Sequence, residues 1–208
     1  MLPHLRTRST CALLSLYLVQ ACERFAFVAM LPFFVLYLHQ HHGFSEHAAL
    51  LVLGVFQALS YLGALPAGTI TDRWLGRAPA TLLGCALLAL GYGALALDCL
   101  VLLWPALGVM VIGHSFFKPG ISAITSELVG VKRREQGFLW LRLATNIGAM
   151  AGPLFAERSR VRDGWCGIFL WSMAAMALGT LLFVFRPRQR PASSNAATRK
   201  PSAFVSPA

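Results

Sequence analysis

Residues 20–30, QACERFAFVAM, decide how this chain is read. They set Glu23 and Arg24 side by side inside an apolar run from Leu13 to Leu38. A charged side chain at the centre of a bilayer costs about 3 kcal/mol or more unless it is paired or faces a wet cavity. If the run is a membrane helix, the two charges therefore need a partner or a task.

Working outward, the composition favours the membrane. The 208 residues are 57% hydrophobic and 12% charged, against about 25% charged in an average soluble domain. The charge-free stretches recur along the whole chain. A span needs roughly 20 apolar residues, and counting along the sequence predicts six, at about 11–38, 47–71, 78–97, 100–126, 136–156 and 165–185. The turn around Asp98 between the third and fourth is short. The basic MLPHLRTRST followed by CALLSLYLVQ has the outline of a signal peptide ending before Cys22. Gln20 suits such a site poorly and apolar sequence resumes at Phe25, so residues 11–38 read as one helix.

The net charge of +10 does not point to nucleic acid, because the basic residues lie between apolar runs or in the last 23 residues. Their distribution predicts topology instead, since cytoplasmic segments are enriched in Lys and Arg. With the N-terminus inside, twelve basic residues fall on the cytoplasmic side: Arg6, Arg8, Arg73, Arg77, Lys132, Arg133, Arg134, Arg186, Arg188, Arg190, Arg199 and Lys200. Only Arg158, Arg160 and Arg162 fall outside, and both termini are expected in the cytoplasm of a plasma (inner) membrane protein. The expected organisation is a cytoplasmic segment 1–10, a bundle 11–185, and a basic, disordered tail 186–208.

Arg24, Lys118 and Arg142 remain within spans. At 1.5 Å per residue, Glu23 lies about 18 Å from the cytoplasmic start of its helix, and Lys118 about 14 Å from the end of its own. The two are expected to meet near the midplane, where transporters place their substrate sites. Two cations and one anion leave a positive surplus, which calls for another acid or an anionic ligand such as a carboxylate. An ion pair that merely locks two helices is the competing reading. His114, one turn before Lys118, reads first as a helix-packing histidine and second as a proton relay. Arg142 reads as snorkelling to the interface. Small residues in LGALPAG, GYGALA and NIGAMAG predict close helix contacts, and Pro66, Pro119 and Pro153 predict kinks.

Enzyme chemistry has no support in the sequence. Asp72, His114 and Ser115 make no nucleophile–base spacing, and there is no metal motif or phosphate loop. The five cysteines form no CxxC pair. No cofactor is expected.

Four segments together resemble the proton-dependent oligopeptide transporter (POT) family of the major facilitator superfamily. ERFAFVAMLPFFVLYL resembles its first-helix ExxERFxYYGM signature, and GTITDRWLGR (68–77) the superfamily loop between helices two and three. GHSFFKPGISA (113–123) resembles GxGxxKPN of helix four, and GFLWLRLATNIGAMAGPLF (137–155) the FYxxINxG segment of helix five. The resemblance covers about residues 10–186. It implies an all-α membrane protein, six transmembrane helices forming the N-terminal half of a major facilitator fold, and proton-coupled uptake of di- or tripeptides or related small solutes. It implies that Glu23, Arg24 and Lys118 couple proton and peptide, that Tyr61 and Asn146 with Lys118 contact the substrate, and that Gly68, Asp72, Arg73, Gly76 and Arg77 form a cytoplasmic gate. Departures accompany it: Gln20 replaces the first Glu, Phe27-Val28 the Tyr pair, Leu31 an Arg, Gly120 an Asn and Arg142 a Tyr. Family members have twelve or more helices, so the expected partners are the lipid bilayer, a small peptide-like substrate, and a second six-helix half or a second copy. An inactive remnant or a non-transporting scaffold is the alternative function.

Overall fold

In the computed structural model the backbone is described for residues 3–129 and 134–187, and side chains from Thr10 onward. All regular structure among the described residues is helical. The elements are α1 (Pro3–Gln40), α2 (Glu46–Leu62), α3 (Ala64–Ile70), a π-helical turn (Thr71–Leu75), α4 (Arg77–Ala96), α5 (Leu100–Val129) and α6 (Arg134–Val184). Five helical segments are long and apolar enough to cross a membrane: Thr10–Gln40, Glu46–Leu75, Arg77–Ala96, Leu100–Val129 and Arg134–Val184. The expected count was six. The difference lies in α6, where the fifth and sixth expected spans follow each other in one 51-residue element, two helical arms joined across a kink at the non-helical Gly164, at φ 72° and ψ −160°.

That residue reverses the chain. A Cβ on Gly148 would lie 2.3 Å from the Ala21 carbonyl oxygen, and one on Gly179 would lie 3.4 Å from Cys22 Cβ. Thirty-one residues of straight helix would span about 46 Å, yet both positions touch α1 at the same level. The two arms of α6 therefore run back alongside α1. Only glycine adopts the positive φ of this hinge without strain. Gly148 and Gly152, in the small-residue segment NIGAMAG, let α6 approach the α1 backbone, as the missing Cβ at each would otherwise meet Ala21 and Phe25 carbonyls.

The remaining boundaries have local causes. Ser45 caps α2, its hydroxyl accepting from the Ala48 amide at 3.2 Å, as N-cap serines do. Pro66 has no amide proton to give the Leu62 carbonyl, and the helix is interrupted at Gly63, between α2 and α3. The segment expected as a loop, 68–77, is instead helical almost throughout. It passes through the π turn, and only Gly76, at φ 79°, leaves helical geometry. Gly68 does not pack closely: a Cβ there would have open space around it. Asp98, at φ 54°, turns the chain between α4 and α5.

The core is built from Met30, Phe34, Tyr37, Phe56, Leu88, Tyr92, Met110, Phe117, Phe169 and Met176, with side chains from α1, α2, α4, α5 and α6. Large apolar residues also cover the outside, among them Leu90 at 66% exposure, Val101 at 79% and Met150 at 74%. An exterior as apolar as the core is what contact with lipid tails requires. The molecule is a multi-pass membrane protein. The predicted tail from Arg188 on, and Lys132 and Arg133, lie outside the described residues, as do the side chains of Arg6 and Arg8.

Candidate functional site

The charges of the opening stretch sit where α1, α2 and α5 converge. Glu23 is fully buried. Its carboxylate lies 3.3 Å from an Arg24 guanidinium nitrogen and accepts a hydrogen bond from Gln20 Nε2 at 3.2 Å. Its other oxygen is 3.3 Å from His114 Nδ1, close enough for an ion pair but without hydrogen-bond alignment. Helix spacing explains the Gln20 contact, since Gln20 is one turn before Glu23 on the same face; Arg24 reaches the carboxylate as its immediate chain neighbour. The third is tertiary, because His114 is carried by α5.

His114 is completely buried. Its ring meets Phe27 edge-on at 5.0 Å and Phe56 at 6.1 Å, so the imidazole is held between aromatic walls from α1 and α2. Neither ring nitrogen has a hydrogen-bond partner among the described residues. The expectation of a hydrogen-bonded packing histidine does not describe this geometry.

Lys118 does not form the expected ion pair with Glu23. No carboxylate lies within ion-pair distance of its Nζ among the described residues, and Nζ has no hydrogen-bond partner although it is shielded from solvent. It rests 4.0 Å from the centroid of the Tyr61 ring and 5.7 Å from that of Phe27. The carboxylate of Glu23 is taken up by Gln20, Arg24 and His114, and the lysine turns to the π face of Tyr61 instead. Arg24 shares Phe27, at 5.4 Å from the ring. One aromatic side chain at position 27 thus touches both cations and the histidine.

Tyr61 is 59% exposed, on the open side of the cluster. Asn146 is also exposed, on α6 two residues before Gly148, near the level of Ala21. Arg142 is exposed on the same helix. The residues expected to form a gate lie apart from this cluster. Arg77 pairs with Asp72 at 3.4 Å and with Glu127 at the end of α5, beside a pocket of about 350 Å³ lined in part by Ala12, Ile124 and Arg186. Arg73 is exposed and makes no ion pair among the described residues. Sequence reasoning missed Glu127 as the second partner of Arg77 and Phe56 as a wall of the His114 pocket. It also missed Tyr92, whose buried hydroxyl has no hydrogen-bond partner among the described residues.

The profile described as Major Facilitator Superfamily matches residues 16–207. The chain belongs to this superfamily. Within it, the likeness is to POT peptide transporters, with the chain corresponding to their N-terminal region. It is 31% identical over 183 residues to the peptide transporter YePEPT of Yersinia enterocolitica subsp. palearctica serotype O:3 (strain YE-P4), covering 82% of this chain and 35% of that protein. It is 30% identical to the di-/tripeptide transporter of Lactococcus lactis subsp. cremoris, covering 83% of this chain and 36% of the relative. Among solved structures, a POT family transporter in complex with 5-aminolevulinic acid superposes with a TM-score of 0.79 at 29% identity, over 83% of this chain and 37% of the other. A POT family transporter with a thioalcohol-conjugated peptide gives 0.80 at 28% identity, over 84% and 38%. The chain spans about a third of the length of the relatives it matches. The superfamily is one of transporters, not enzymes.

Proposed function

We propose that this bundle supplies one half of the substrate and proton path of a peptide transporter. It moves di- or tripeptides, or related small solutes, together with protons. A second six-helix half, or a second copy, completes the cavity. The 51-residue α6 crosses the membrane twice, reversing at Gly164, which makes six spans with both termini in the cytoplasm.

The observation that carries the reading is the unbalanced charge of the buried cluster. Glu23 is matched by Arg24, and the Lys118 ammonium is left shielded without a counter-ion among the described residues. An uncompensated buried charge is strongly unfavourable, and a peptide carboxylate is a fitting partner for it. Tyr61, exposed against Lys118, and Asn146, exposed on α6, contact the rest of such a ligand in this reading. The coupling proton is held by Glu23 and His114, the two titratable groups in contact at the centre. This arrangement replaces the acid that Gln20 lacks. The Asp72–Arg77–Glu127 cluster acts as the gate latch, with Gly68, Arg73 and Gly76 in the segment that moves.

Uptake of a labelled dipeptide tests this in cells expressing the chain, alone and together with a candidate second half. Uptake should rise with an inward proton gradient, and Lys118→Ala should abolish it while surface expression is retained. His114→Gln should flatten the pH profile. Uptake equal to an empty-vector control in both settings would refute transport and leave a non-transporting scaffold or inactive remnant.

A further inference from the structure

The end of the bundle opposite Arg77 carries a second polar cluster, outside the proposed transport site. It joins the α1–α2 loop to the α4–α5 turn. His41 Nε2 lies 2.7 Å from one oxygen of Asp98, and His42 Nε2 lies 3.8 Å from the other. One ligand atom from each of these residues lies within 4.8 Å of the other two. His41 and Asp98 are 57 positions apart, so no sequence motif announces the group.

We propose that His41, His42 and Asp98 form a binding site for a divalent transition-metal ion of the zinc class. Two imidazoles and a carboxylate are the donor types that suit zinc. Zn–N and Zn–O bonds of about 2.0–2.2 Å place neighbouring ligand atoms about 3.3 Å apart in a tetrahedron. The observed separations bracket that value, so small side-chain rotations admit the ion. Three protein ligands leave a fourth position for water.

What separates this group from a chance surface cluster is Tyr37 beneath it. Tyr37 is buried, at 2% exposure, and its hydroxyl donates to Asp98 Oδ1 at 2.7 Å. Its ring stacks on His41 at 5.6 Å and 18° and takes His42 edge-on at 4.7 Å. One fixed side chain therefore orients all three ligands, as the outer shell of a metal site does. Asp98 is also the one non-glycine residue with positive φ among the described residues, a backbone conformation often stored at functional positions. On binding the ion, His42 Nε2 exchanges its 2.8 Å contact with the Tyr37 hydroxyl for the metal. A bound ion would clamp the loop to the turn and rigidify this end of the bundle.

The experiment uses the full chain, purified in detergent and stripped of metal, with zinc ion alone as the probe in competition with a chromophoric chelator. One equivalent should bind. His41→Gln and Asp98→Asn should each weaken binding by about tenfold or more, and zinc should raise the melting temperature of the parent protein but not of Asp98→Asn. The cobalt-loaded parent should show tetrahedral bands without thiolate charge transfer, a readout independent of how the variants fold. Absence of binding at micromolar zinc overturns the proposal. So does undiminished affinity in both variants, or a thiolate signature implicating the neighbouring Cys99.

Discussion

The buried cluster around Glu23 and the exposed cluster around Arg77 contain similar groups in opposite balance. At the latch, one arginine serves two carboxylates, and the side chains of Arg77, Asp72 and Glu127 are 40%, 64% and 39% exposed. Water screens the surplus negative charge, and such pairs contribute about 0–1 kcal/mol each. In the interior, one carboxylate serves Arg24 while Lys118 stays unmatched, and the Glu23 side chain is 1% exposed. There desolvation makes the imbalance expensive. A surface latch can break and reform at little cost, which suits a gate. A shielded cluster with surplus positive charge suits the binding of an anionic ligand.

The sharpest test of this contrast removes the interior anion. Glu23→Ala leaves the half-buried Arg24 and Lys118 together without the Glu23 counter-charge and should cost about 2–3 kcal/mol of stability, less than the full loss for a wholly buried pair, read as early loss of the monodisperse peak on heating in detergent. A stability loss below about 1 kcal/mol would show that the cluster is wetter than its burial indicates. A smaller effect is expected from Gly148→Ala. Its added methyl meets the Ala21 carbonyl at 2.3 Å, and overpacking of this kind costs about 1–3 kcal/mol. The same assay measures it. Smallest is the latch: Arg77→Gln should change stability by about 0–1 kcal/mol. If it destabilises as much as Glu23→Ala, the two regions do not differ as proposed. It should instead alter accessibility, measured as labelling of a cysteine placed at Ala78.

Much of the architecture is legible in the sequence. Long charge-free runs demand membrane helices for want of any other way to satisfy the backbone in lipid, and the small residues of NIGAMAG sit where α6 meets α1. Helix periodicity also places Gln20 with Glu23 on one face. Other features were hidden. The stretch 68–77 contains two glycines and three charges and reads as a loop, but its helix continues through a π turn. The reversal at Gly164 rests on one φ angle in a segment whose neighbours are helical.

The site divides in the same way. That Glu23, Arg24 and Lys118 belong to one polar centre followed from the cost of placing each in an apolar helix. Their pairing did not follow, because depth along a helix says nothing about which way a side chain turns. Glu23 met His114 rather than Lys118, and Lys118 met the ring of Tyr61. Arg77 found Glu127 fifty positions away.

The sequence by itself determined that this is a membrane bundle with charges held inside it, since desolvation acts on each residue wherever its neighbours lie. Only the tertiary structure decided which charges are neutralised and which are left over, because pairing depends on rotamers and on how helices distant in the chain pack to within a few ångströms.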